Sequence, residues 1–92
     1  VNLGLEGKVA LVAAASRGLG RAIADVLAEE GASLIICART RDAIESARDA
    51  IVQRTGAKVH ALVADVSDPA QLASLSEQAL AKWGRVDVLV TN

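Results

Sequence analysis

The residues with the plainest chemical potential form one short loop, Ala14-Ala15-Ser16-Arg17-Gly18-Leu19-Gly20-Arg21. The loop joins an apolar run that reads as a strand to a segment of helical period. Its two glycines therefore stand at a helix N-terminus. There, unsatisfied backbone N–H groups and the positive end of the helix dipole attract an anion. Gly18 lets the main chain come close to a phosphate, and Gly20 lets the helix pack tightly on the sheet behind it. The linked phosphates of a dinucleotide are the natural occupant. An isolated Gly-x-Gly is also compatible with a plain tight turn. Its position after the first strand of an α/β unit favours binding. The Gly-Lys-Ser/Thr ending of a P-loop is absent.

A second group of candidates follows the next apolar run, at Cys37-Ala38-Arg39-Thr40. An acid here would accept hydrogen bonds from a ribose 2′-hydroxyl and repel a 2′-phosphate. The first acid is Asp42. Arg39 is placed to pair with a 2′-phosphate, and a guanidinium suits phosphate geometrically. Arg17 offers a second positive charge. For both arginines the alternative is a solvated loop charge. The remaining reactive types read as structural. Cys37 is expected to be a small buried hydrophobe. His60 has no second His or Cys near it in sequence, which argues against a metal site. Asp25, Glu29 and Glu30 read as a solvated helix face, and Trp83 as packing for a helix end.

These residues need a scaffold, and the sequence supplies a repeating strand–helix unit. Short apolar runs without strict alternation suit strands covered on both faces. They predict β1 over 8–14, β2 over 33–38, β3 over 58–64 and β4 over 86–91. Helical period predicts α1 over 18–30, α2 over 41–55 and α3 over 69–83. The apolar stripes are Leu19, Ala22, Ile23, Val26 and Leu27 on α1; Ala43, Ile44, Ala47, Ala50 and Ile51 on α2; and Leu72, Leu75, Ala79, Leu80 and Trp83 on α3. Gly31, Gly56 and Gly84 stand where helices hand over to strands. Thr40 and Asp68 are N-cap candidates, Pro69 suits a first helical position, and Gln71 is placed for a capping box. Alternating β and α with short connections means a parallel sheet. The expected fold class is a three-layer α/β sheet of order 3-2-1-4 with helices on both faces, and a crevice beyond β1 and β4.

Composition narrows the class. Hydrophobic residues make up 52% of the 92, nearly all aliphatic or Ala, which is globular rather than disordered. The length suits one domain. A net charge of −1 with interspersed signs argues against nucleic acid or a membrane surface as partner. No apolar run approaches the roughly 20 residues of a membrane span. The N-terminal residues lack a signal-peptide pattern, and one cysteine fits a reducing compartment, so a cytoplasmic location is expected.

The same residues carry a resemblance. Leu5-Glu6-Gly7-Lys8-Val9-Ala10-Leu11-Val12 followed by Ala15-Ser16-Arg17-Gly18-Leu19-Gly20-Arg21-Ala22-Ile23-Ala24 resembles the start of a short-chain dehydrogenase/reductase. The likeness is nearest to the 3-oxoacyl-(acyl-carrier-protein) reductase branch. It continues through Cys37-Ala38-Arg39, Ala64-Asp65-Val66-Ser67-Asp68 and Val86-Asp87-Val88-Leu89-Val90-Thr91-Asn92. It implies a Rossmann-type fold, an NAD(P)-binding domain of which residues 1–92 are the N-terminal part, and NADP(H) in preference to NAD(H) from Arg39. It implies that Asp65 and the Val66 N–H hold the adenine and that Asn92 lines the cofactor crevice. With the loop, the expected cofactor-binding set is Ala14, Ser16, Arg17, Gly18, Leu19, Gly20, Arg39, Asp65, Val66 and Asn92. The family motif is Thr-Gly-x-x-x-Gly-x-Gly, and this chain has Ala13 and Ala14 where Thr and the first Gly are usual. The loop is expected to keep its course with Ala14 at negative φ.

Reducing a carbonyl also needs a proton donor held near its oxygen. The family implies a Tyr, a Lys three or four residues on and an upstream Ser, but this chain has no Tyr. No catalytic residue is assigned within it. β4 is apolar yet would be a sheet edge, and such edges are normally paired or covered. A longer parent reductase is expected, homo-oligomeric by the resemblance and acting on a small carbonyl or alcohol, with the 92 residues alone inactive. The alternative is a non-catalytic dinucleotide-binding or interaction module, motivated by Ala13 and Ala14.

Overall fold

A computed structural model describes residues 4–91. The elements run β1 (Val9–Val12), α1 (Gly18–Glu29), β2 (Ser33–Ala38), α2 (Arg41–Thr55), β3 (Val59–Val63), α3 (Pro69–Trp83) and β4 (Val88–Val90). All three ladders are parallel and the sheet order is β3-β2-β1-β4, as expected. Alternation along the two central strands divides the core. Ala10, Val12, Leu34 and Ile36 pack with α1 and α2, through Ala24, Ala28, Ile44 and Ile51. Val9, Leu11, Ile35 and Cys37 pack on the other face with Leu75 and Ala79 of α3. Three layers result, and β1 is buried along its whole length. The edge strands differ from their reading as strands covered on both faces. β3 and β4 are mostly half-buried, and Leu89 is 63% exposed.

The helix boundaries follow their caps. Gly56 and Gly84 end α2 and α3 at φ of 73° and 77°, and their N–H groups donate to the carbonyls of Val52 and Leu80. The Asp68 side chain accepts from the Ala70 N–H at 2.9 Å, with Pro69 at the first helical position. Thr40 stands at the N-cap of α2 in extended backbone, but its side chain makes no cap hydrogen bond.

The helix faces required correction. On α1 the buried row is Gly20, Ala24 and Ala28, while Leu19 is 67% and Val26 51% exposed. Ile23 and Leu27 are half-buried and Ala22 is exposed. Three small residues at i, i+4 spacing let the helix axis approach the sheet, and the larger side chains then flank the contact. On α2 Ile44, Ala47 and Ile51 are buried, and Ala43 and Ala50 are exposed. On α3 Leu75 and Ala79 are buried and Trp83 is half-buried. Leu72 and Leu80 instead line an open apolar groove of about 610 Å³ between α3 and β4. Asp25 and Glu29 are not merely solvated. Both accept from Arg54 of α2, and Asp25 also pairs with Arg21, so ion pairs tie α1 to α2.

Candidate functional site

The end of β1 shows how the loop is built. Ser33 N–H donates to the Lys8 carbonyl, which sets the β1–β2 ladder. Continuing that ladder would make Ala14 the donor to the Cys37 carbonyl. Ala15 makes that bond instead, at 3.0 Å, while Ala13 N–H donates to Val90 on the other side at 2.9 Å. One extra residue is therefore inserted, as in a bulge. Ala14 takes up the displacement at φ 53°, the only positive φ outside glycine among the described residues. This corrects the expectation of negative φ: the reversal between two ladders requires the left-handed region there, whatever the residue. The Cys37 thiol lies behind the turn, fully buried. Burial raises its pKa, and a hydrogen bond from the Ala14 N–H opposes that shift.

Arg17 is extended, Gly18 has φ 66°, and α1 begins. The first helical donor is Arg21 N–H, reaching the Arg17 carbonyl at 3.5 Å. The amides of Gly18, Leu19 and Gly20 precede it and have no carbonyl partner inside the helix. They border a cavity of about 790 Å³, the size of a nucleotide-cofactor site.

The cavity gathers the sequence candidates. Ala14, Ser16, Arg17, Gly18, Leu19 and Gly20 form one wall. Arg39 comes from the end of β2, and Asp65 and Val66 from the end of β3. Asn92 lies outside the described residues. The position differs in one respect from the expected crevice. The cavity opens at the carboxyl ends of β1, β2 and β3, whereas Thr91 beyond β4 lines the α3–β4 groove. Val66 borders both.

Electrostatically the cavity has two cations and one ordered anion. Among the described residues Arg17 and Arg39 make no ion pair, and both are exposed. Asp65 Oδ1 accepts from the Ser67 hydroxyl at 2.6 Å and the Ser67 N–H at 3.0 Å. The hydroxyl, then the amide, holds the Asp65 pKa below the usual carboxylate value, with a smaller contribution from Arg39. Gln71 departs from the capping-box reading. Its Oε1 accepts from the Asp65 N–H at 2.8 Å, and its Nε2 donates to Asp68 Oδ2 at 3.1 Å. The Asp68 N–H that a capping box would use already donates to the Asp65 carbonyl.

Sequence reasoning missed Ala38, Thr40, Ala43, Ala64 and Ser67, which also line the cavity. Ala38 and Ala64 are small and buried, and leave open space that a larger side chain would fill. The signal for Ser67 was present, because Asp-x-Ser favours a side-chain-to-backbone turn two residues on. His60 is half-buried on β3, where burial, then nearby Lys82 and Arg48, lowers its pKa. Among the described residues no cluster suits a metal, and no helix is long and apolar enough to cross a membrane.

Comparison with known proteins places this geometry. The family model for short chain dehydrogenase matches residues 8–92. The 3-oxoacyl-(acyl-carrier-protein) reductase of Escherichia coli K12 is 44% identical over 90 residues, covering 98% of this chain and 35% of that protein. The L-sorbose reductase of Gluconobacter frateurii, solved with NADPH and L-sorbose, superposes with a TM-score of 0.96 at 33% identity, over 100% of this chain and 35% of that one. A metagenomic short-chain oxidoreductase solved with NADP gives 0.89 at 38% identity, over 96% and 39%. The chain thus spans about a third of the length of these relatives. With its parallel sheet, its glycine loop at the head of α1 and a match over nearly all its residues, the chain belongs to the short-chain dehydrogenase family.

Proposed function

We propose that this chain is the N-terminal, cofactor-holding part of a single NAD(P)-binding Rossmann domain, in an oxidoreductase that interconverts a carbonyl and an alcohol with NADP(H). The observation that carries the reading is the cavity that the head of α1 shares with two arginines that make no ion pair among the described residues. The fit to the cofactor is chemical. Amides of Gly18, Leu19 and Gly20 suit the pyrophosphate. Arg39, with no acid on its strand end, suits a 2′-phosphate, and Arg17 adds a second charge. Asp65 and the Val66 N–H suit the adenine edge. Leu19 presents an exposed apolar side chain on the α1 wall, and Asn92 is assigned to the same crevice. NADP-bound relatives of similar fold support this assignment.

When bound, NADPH would supply the hydride. The residues of this chain would bind and orient it. The chain has no Tyr, so we assign the proton donor and the substrate loops to residues outside these 92. The proposal extends to a cytoplasmic, homo-oligomeric parent acting on a small carbonyl or alcohol, and to no turnover by the 92 residues alone. A non-catalytic binding module is the second reading, favoured by the Ala14 Cβ at the cavity wall. Calorimetric titration with NADPH and NADH tests the cofactor, with tighter binding of NADPH expected and equal binding contradicting it. NADPH oxidation by the full-length protein with a panel of small carbonyls separates enzyme from module. Turnover supports the enzyme, and cofactor binding without turnover on any carbonyl supports the module.

A further inference from the structure

Asp65 receives one hydrogen bond more than the side-chain-to-backbone turn of an Asp-x-Ser sequence requires, from the Ser67 hydroxyl. Both hydrogen bonds from Ser67 converge on one oxygen, Oδ1, at 2.6 and 3.0 Å. Among the described residues no donor reaches the other oxygen, Oδ2. The main chain of Asp65 is fixed independently, since its N–H donates to Gln71, which in turn donates to the Asp68 that caps α3. Arg39 lines the same cavity, close enough to act on the Asp65 charge, yet makes no ion pair with it. A carboxylate free to rotate beside an unpaired guanidinium would turn toward it.

We infer that Ser67 is a specificity-determining positioning residue: by holding Oδ1 it presents Oδ2 of Asp65 as a fixed acceptor, so that the site takes a 6-amino purine and rejects a 6-oxo purine. The inference rests on the proposed dinucleotide reading of the cavity. An ionised carboxylate only accepts hydrogen bonds. The exocyclic amino group of adenine donates to it. The carbonyl of hypoxanthine is a second acceptor and is repelled. A site that must satisfy one polar group rejects the analogue that cannot supply the partner. Without the Ser67 hydroxyl, Asp65 keeps one hydrogen bond, from the Ser67 amide, and its carboxylate is freer to swing toward Arg39. Adenine then loses its partner, and hypoxanthine loses part of the repulsion.

The test compares affinities for NADPH and for its deaminated analogue, reduced nicotinamide hypoxanthine dinucleotide phosphate. The two differ at the purine 6-position, amino against carbonyl, and at N1, which carries a proton in hypoxanthine. The wild-type protein is expected to prefer NADPH. Ser67→Ala is expected to reduce that preference about tenfold, the low end for loss of one hydrogen bond to a charged group. Ser67→Thr, which keeps the hydroxyl, is expected to restore it. Equal weakening of both cofactors by Ser67→Ala, or an unchanged preference, overturns the inference and leaves Ser67 a loop former. A wild-type protein that binds neither compound overturns the dinucleotide reading itself, and one that binds both equally removes the role of Asp65 in purine selection and the inference with it.

Discussion

Replacing Ala14 with glycine should stabilise this protein, although most substitutions in a tight turn do the reverse. Ala14 sits at φ 53° because the chain changes partner there, from β4 at Ala13 to β2 at Ala15. A left-handed conformation costs an L-residue with a Cβ about 1–2 kcal/mol. Glycine removes that strain but loses about 0.5–1 kcal/mol through the greater freedom of its unfolded chain. The difference leaves a gain of about 0.5–1 kcal/mol. For a chain of this size that raises the thermal midpoint by about 2–8 °C. The variant also removes a methyl from the cavity wall, so its affinity for NADPH should not fall. Circular dichroism melts and urea titrations measure the change. A lower or unchanged midpoint would refute the claim that the turn, and not the residue, sets this φ.

Arg39→Asp should weaken NADPH binding about tenfold to a hundredfold, the loss of charge-assisted hydrogen bonds to a phosphate, and should strengthen NADH relative to it. Titrations of the two cofactors report the ratio, and an unchanged ratio removes the assignment. Gly18→Ala should lower stability by about 1 kcal/mol, because its φ of 66° strains any side chain even though open space surrounds the site. A urea midpoint equal to wild type would show that the loop relaxes. Acid should unfold the protein partly through Asp87. Arg85, then the Val9 N–H, holds its folded pKa below the unfolded value. The stabilisation is therefore present above the unfolded value of about 3.9 and is lost as pH falls through the folded one. Asp87→Asn should flatten that acid limb in pH-dependent melts, and an identical limb would assign the loss elsewhere. Leu89→Lys should reduce self-association of the 92-residue chain in size-exclusion chromatography by placing a charge on the exposed edge. Unchanged association would exonerate that edge.

Much of this architecture was legible because its punctuation is local. Gly56, Gly84, Asp68 and Pro69 mark helix ends by backbone and capping chemistry, and α2 and α3 fall where they indicate. Strand ends were overextended, since apolar residues continue past the ladder. Ala13 and Ala14 belong to the turn that leaves β1, and Val86 precedes β4. The buried face of α1 was hidden for a different reason. Hydrophobicity points to Leu19 and Val26, whereas close approach selects Gly20, Ala24 and Ala28. In the cavity, the glycines and Arg39 announce themselves by type. The role of Gln71 does not, because its partner is the backbone of Asp65, fixed only once the loop has folded and Asp68 has donated its own N–H elsewhere.

Backbone amide chemical shifts during titration of the ¹⁵N-labelled chain with NADPH test the central claim most directly. The account predicts saturable shifts concentrated at Ser16 to Gly20, with further changes at Arg39, Asp65 and Val66, and smaller ones with NADH. Shifts gathered instead along the α3–β4 groove, or none at the head of α1 at saturating cofactor, would contradict it.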